Sequence, residues 1–285
     1  MRLGLTVSAL VLVLSFAPGV HAQDENAWKD LVMKALGEAS AKDMAKSEQT
    51  FQQALREAER FGADDPRVGT TLNSLGLVFR AEKKYAEAEA SYRKALVILQ
   101  KSYGQDSMDV ANVNFNIASV LFDQGKQTAA NPLLTRTLLT YENILGGNSL
   151  KTGSVLCMLG DIHRIERNFQ AAEAPLKRCA DIRESAGLMQ SAEMAEALHS
   201  LALTYVGEGK YALAEPRFTM AEKIRETALG ITSPVLAQTF EDHASLLRLL
   251  GRTKDADRLN GMAAAIRRGA QNNAPPANHA APAKK

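Results

Sequence analysis

Few side chains in this sequence are spaced for chemistry. His163, His199 and His243 are too far apart for the i, i+4 pair that sets two imidazoles on one helical face around a metal. Cys157 and Cys179 are too few for a four-cysteine zinc site, and two cysteines do not make a disulfide-stapled miniprotein. There is no Gly-x-Ser-x-Gly elbow, no phosphate-cradling glycine loop and no carboxylate pair beside a nucleophile. These absences point away from an enzyme, a metal and a cofactor. What remains is polar side chains repeated at intervals, which suits recognition better than bond-breaking.

The bulk properties agree. The chain has 285 residues, of which 46% are hydrophobic, 23% charged and 6% aromatic. This is the composition of a soluble globular protein, at a length that suggests about two domains. Lys and Arg number 34 against 32 Asp and Glu, a formal net charge of +2. So small an excess gives no basic stripe to neutralise phosphates, which excludes a dedicated nucleic-acid binder.

The first residues read as an address. Arg2 is followed by an uncharged apolar run from Leu3 to Phe16, a break at Pro18 and Gly19, and a small-residue cleavage pattern ending at Ala22. That is the layout of a secretory signal peptide over residues 1–22, bacterial in style. The run is shorter than the roughly 20 residues a spanning helix needs. The expected location is therefore exported, periplasmic or secreted, with no membrane span after cleavage. An uncleaved anchor is the alternative.

The organising feature is a 42-residue period. Gly76, Ala118, Gly160, Ala202 and Ala244 form one small-residue column. Ala88, Ala130, Ala172, Ala214 and Ala256 form a second; Ala95, Thr137, Cys179, Ala221 and Ala263 form a third. Ile98, Thr140, Ile182, Ile224 and Ile266 form a β-branched column. Within each copy the apolar spacing is three and four, as at Leu72, Leu75 and Phe79, which is helical. Turn residues split each copy at Lys83, Gly125, Asn168, Gly209 and Gly251, so each is a pair of antiparallel helices. Asp65, Ser107, Ser149, Ser191 and Ser233 mark the helix starts as N-caps. Gly62, Gly104, Gly146 and Gly230 close the preceding helices, with Gly187 one residue early. Pro132, Pro175 and Pro216 fall in second helices, which either start later or bend. Residues 26–62 form a degenerate capping unit, offset by 41 and lacking the small columns. Residues 63–268 are five regular units. Residues 269–285, rich in Ala and Pro, carry no periodicity and are expected to be disordered.

Leu72, Leu75, Gly76, Phe79, Ala88, Tyr92 and Ala95 carry the spacing of large, small and aromatic positions that resembles the tetratricopeptide repeat family. The 42-residue length, the segment from Lys210 to Pro216 and the loop from Gly230 to Pro234 look like its kinesin-light-chain subclass. The resemblance departs in the first unit, and in the third and fourth, whose loops lack the proline. It implies an all-α, right-handed superhelical solenoid of antiparallel helix pairs. It also implies a concave groove that binds peptides or partner proteins, and no catalysis. Carried over by register, the groove residues are Asn73, Arg80, Asn116, Asp161, Arg164, His199, Glu241 and Arg248. Their signs are mixed and select neither an acidic nor a basic partner. His163 and His243 fall on core columns and are expected to pack.

The leading reading is a monomeric protein-interaction scaffold in the cell envelope. A self-associating structural module of an envelope assembly is the alternative, and a small envelope hydrolase the least supported one. Cys157 and Cys179 each lie eleven residues from Asn168, so they sit level across one hairpin. Two outcomes stay open. They are a bridge, worth about 2–4 kcal/mol by constraining the unfolded chain, or two half-buried thiols acting as small hydrophobes.

Overall fold

A computed structural model describes residues 22–272. The signal segment before Ala22 and the tail beyond Asn272 lie outside the described residues. Within them the chain is twelve α-helices and no strand. α1 (Ala22–Ser40) and α2 (Met44–Glu59) make the first hairpin, α3 (Pro66–Ala81) and α4 (Tyr85–Tyr103) the second, α5 (Met108–Asp123) and α6 (Gln127–Leu145) the third. α7 (Leu150–Ile165) precedes α8 (Phe169–Ser185); α9 (Ala192–Gly207) pairs with α10 (Tyr211–Leu229), and α11 (Pro234–Leu249) with α12 (Thr253–Asn272). The chain divides into two compact units within α7, after Val155. In the first, α1 to α6 pack each on the next in chain order, and in the second α8 to α12 do.

The small columns are where the helices of a pair press together. Ala118, Ala202 and Ala244 are fully buried, as are Ala88, Ala130, Ala172, Ala214 and Ala256. Opposite them sit large side chains, Tyr92, Leu134, Leu176 and Phe218, also fully buried. The fit leaves no spare volume. A Cβ on Gly76 would lie 2.5 Å from the Tyr92 ring, and one on Gly160 would lie 2.5 Å from Leu176 Cγ. The first hairpin does carry the small columns, contrary to the sequence reading. Ala35, Ser47 and Ala54 are fully buried and occupy them once the 41-residue offset is applied to α1 as well as α2. Ser47 Oγ donates to Ala35 O at 2.8 Å, which satisfies a hydroxyl buried between the two helices.

Helix ends follow the register. Asp65, Ser107, Ser149 and Ser191 accept from first-turn amides through their side chains. Ser233 stands at the N-cap but makes no such bond. Its own carbonyl takes the Leu236 amide at 3.0 Å, as the Asp65 carbonyl takes the Val68 amide at 2.9 Å. Gly104 leaves α4 with φ +80°, a backbone region that costs other residues dearly. Early Gly187 truncates α8 to 17 residues, against 19 in α4, α6 and α10. Pro132, Pro175 and Pro216 lie inside α6, α8 and α10, so those helices do not start after them. α12 continues to Asn272, so residues 269–272 are helical rather than part of a disordered tail.

A second pattern ties neighbouring hairpins together on the turn side. Lys84 pairs with Glu48 at 2.7 Å and Lys126 with Glu89 at 3.9 Å in the first unit. Lys210 pairs with Glu173 at 2.6 Å and Arg252 with Glu215 at 2.6 Å in the second. In each case a base at the mouth of one outer helix reaches an acid on the outer helix before it.

The Gly76–Tyr92 contact is testable. Gly76→Ala is expected to lower the unfolding free energy by about 1–3 kcal/mol, the usual cost of overfilling a packed core. Tyr92→Leu in the same chain, matching the pairing of Leu134 with Ala118, should restore most of it. Urea titrations of the two variants check this; an unchanged midpoint for the single variant would show that the contact yields freely.

Candidate functional site

Within each unit, successive inner helices run parallel, displaced by one repeat plus one residue. Side chains 43 positions apart therefore meet. Trp28 Nε1 donates to Thr71 Oγ1 at 2.9 Å, and Asn116 Nδ2 donates to Asn73 Oδ1 at 2.8 Å. Arg80 Nε donates to Asp123 Oδ2 at 2.7 Å, and His199 Nε2 lies 2.9 Å from Asp242 Oδ2. Four of the expected groove residues thus spend a bond on a neighbouring repeat. Arg164 donates from Nε and Nη2 to Asp161 Oδ1 on its own helix. Glu241 is held by Arg267 of α12 at 2.6 Å, and Arg248 by Asp257 at 3.2 Å. The mixed signs noted in the sequence are therefore largely internal pairs.

In the first unit the inner helices line a cleft of about 350 Å³. Leu36 of α1, Leu77 of α3 and Leu99 of α4 make its apolar walls; Asn73, Asn112 and Asn116 supply amides. Asn112 Oδ1 accepts from Tyr141 Oη and from Lys151 Nζ, both at 2.8 Å. The Lys151 ammonium also lies 5.6 Å from the Tyr141 ring centre, in cation–π range. Burial pulls the Lys151 pKa down, and Asp109 partly offsets this. With its oxygen taken twice, Asn112 keeps its amide N–H groups for another acceptor, since nothing among the described residues takes them. Asn112, Tyr141 and Lys151 were not singled out from the sequence.

The floor of the second unit is built differently. The column that reads Leu99 and Tyr141 earlier in the chain continues as Arg183, Arg225 and Arg267. Arg183 is 8% exposed and Arg225 5%, and neither has a carboxylate within ion-pair distance. Arg225 Nη1 donates to Thr239 Oγ1 and, at 3.4 Å, to Val235 O. Arg183 Nη1 reaches Cys157 Sγ at 3.3 Å, Cys179 Sγ and, at 3.3 Å, Cys179 O. Glu196 feels both arginines at longer range. Solvent reaches it, yet protein crowds its other sides, and that desolvation raises its pKa; Asp161 adds to the rise, and Arg225 and Arg183 oppose it. The arginine column was visible at a 42-residue interval. It was missed because it belongs to the outer helices, whereas the family resemblance directs attention to the inner ones.

Cys157 and Cys179 are joined by a disulfide, with Cα atoms 5.4 Å apart, so the first of the two open outcomes holds. Cys179 is fully buried in the third small column and Cys157 half-buried. The histidines behave as core and near-core groups. His243 is 6% exposed, stacks on Phe218 with ring centres 5.3 Å apart, and meets Glu222 Oε1 through Nδ1 at 2.7 Å. His163 is only half-buried, although its column is a core one. No group of three or more metal-binding side chains gathers among the described residues.

The pKa of His199 is lowered chiefly by burial; the Asp242 bond opposes this, and Arg225 and Arg164 add to it. The unfolded chain therefore binds the proton more readily than the native one. Stability should fall as pH drops below about 6.5, the ordinary histidine value. His199→Gln should flatten that slope between pH 7 and pH 5.5, by urea midpoints at both. An equal slope in the two proteins would assign it to other groups.

Three comparisons bear on identity. The tetratricopeptide repeat model matches residues 31–101, 109–185 and 193–269. Among solved structures, BtubC (BKLC) from P. vanneervenii superposes with a TM-score of 0.66 at 22% identity, over 85% of this chain and 97% of that one. A putative kinesin light chain with nearly identical repeats from Podosopora anserina gives 0.58 at 16% identity, over 72% and 97%. A Rap protein complexed with Competence and Sporulation Factor gives 0.57 at 18%, over 86% and 76%. No curated protein matches.

Proposed function

The chain belongs to the tetratricopeptide repeat family, and from that premise we propose that it is a non-catalytic scaffold that binds an extended segment of a partner protein along its inner helices. The observation that carries this is the cleft of the first unit. It combines leucine walls with an amide, Asn112, whose N–H groups have no acceptor among the described residues, as a peptide carbonyl would require. A structural neighbour, the Rap protein, is known in a complex with Competence and Sporulation Factor, which supports a binding role for this fold.

The place of action is the cell envelope or the medium. The signal pattern over residues 1–22 supports this, and so does the disulfide, because such bonds persist in oxidising compartments. No described helix is long and apolar enough to cross a membrane. Expressed from its full sequence in a bacterial host, the protein should be recovered from the periplasm or medium with Gln23 as its first residue. An intact Met1 on cytoplasmic material would refute export.

A display library of random peptides panned against the full chain should yield binders. Asn112→Ala should weaken those that compete for the first cleft by about tenfold, the worth of a buried hydrogen bond, about 1.4 kcal/mol. Leu77→Glu should abolish them. Binding unaffected by both substitutions, or a library that yields nothing, would sink the groove reading.

A further inference from the structure

The disulfide lies in an electrostatic setting that its packing does not require. Four other hairpins place Ala95, Thr137, Ala221 and Ala263 in the column of Cys179, so a small residue alone completes this core. The same hairpin adds Arg183 one turn beyond Cys179, with its guanidinium against both sulfurs. That cation is buried and has no carboxylate within ion-pair distance. A disulfide is neutral and cannot neutralise it; a thiolate can. The oxidised form therefore leaves a buried charge unpaired, and the reduced form pairs it. Stabilising the reduced form makes a disulfide more readily reduced. The two sulfurs also differ in access. Cys157 is half-buried in the column of the groove residues Asn73 and His199, whereas Cys179 is fully buried.

We propose that Cys157–Cys179 is an exchangeable disulfide that reacts with a dithiol partner, with Cys157 as the attacked sulfur and Arg183 holding the Cys179 thiolate. A thiolate of the partner attacks Cys157 Sγ. The S–S bond breaks, and its electron pair leaves on Cys179 Sγ, beside Arg183. The partner's second thiolate then attacks its own sulfur in the mixed disulfide and releases Cys157, which takes up one proton. The partner's other proton goes to solvent while Cys179 stays ionised. Two electrons pass to the protein, and the dithiol becomes a disulfide. Oxidation runs the same steps backwards. Arg183 is a positioning residue in this exchange, and Cys157 is the residue that meets the partner.

The test equilibrates the native full chain in graded mixtures of reduced and oxidised dithiothreitol, followed by acid quench, alkylation and mass counting. Arg183→Leu should need about a tenfold higher reduced-to-oxidised ratio for half-reduction, about 30 mV for a two-electron couple. Arg183→Lys should stay within about threefold of the parent, and Arg225→Leu, one repeat on, should not move it. An unchanged ratio in Arg183→Leu overturns the role of the cation. A bridge that opens only in denaturant overturns the exchange. If Arg183→Leu does not fold, the parent protein decides. Brief treatment with glutathione should trap a mixed disulfide on Cys157, and adducts on Cys179 would overturn the assignment.

Discussion

Close approach of two helix backbones is the constraint on which everything else in this molecule depends. It is met by columns of glycine, alanine and other small residues facing Tyr92, Leu134, Leu176 or Phe218. Because each hairpin sets a small residue against a large one, the step from one hairpin to the next recurs within each unit. A recurring step is what brings residue x beside residue x+43 on the inner helices. It also brings each turn-side base beside an acid on the preceding outer helix. Polar order here is a product of apolar packing.

This changes how the inner face should be read. A polar side chain on a concave surface invites assignment to a ligand, yet Asn73, Arg80, Asn116 and His199 already bond to the next repeat. The groups that such pairing leaves incomplete are fewer. In the first unit Asn112 has its oxygen saturated and its amide nitrogen not. In the second, Arg183 and Arg225 are buried cations with no carboxylate within ion-pair distance. Both lie in columns where neighbouring repeats carry different chemistry.

The helix pairs, their caps and their small columns were legible because each is a statement about one position repeated every 42 residues. The missing cap bond of Ser233 was not, since a side-chain rotamer decides it and the residue type alone does not. Nor was the pairing of Asn73 with Asn116, because the extra residue in its spacing records how far one helix slides past another. The level placement of Cys157 and Cys179 followed from equal distance to Asn168. The contact of Arg183 with their sulfurs required a side-chain direction that no periodicity encodes. The small columns of the first hairpin were present in the sequence and lost only to a one-residue change of register.

The turn-side pairs have a consequence for how the array holds together as a chain of coupled elements. Helix-to-helix contact within a hairpin is mainly apolar, with few ion pairs such as Glu241–Arg267 beside it. The pairs Lys84–Glu48, Lys210–Glu173 and Arg252–Glu215 instead span the boundary between consecutive hairpins and stand at the surface. Mobile ions screen such charges over about 8 Å at physiological strength. In a linear array, stability divides into the worth of each element and the coupling between neighbours. Salt acts here on the coupling through these pairs more than on the packed interior of each element. Ionic strength is thus a dial on cooperativity: dilute buffer favours hairpins that melt in concert, and concentrated salt favours hairpins that melt one by one.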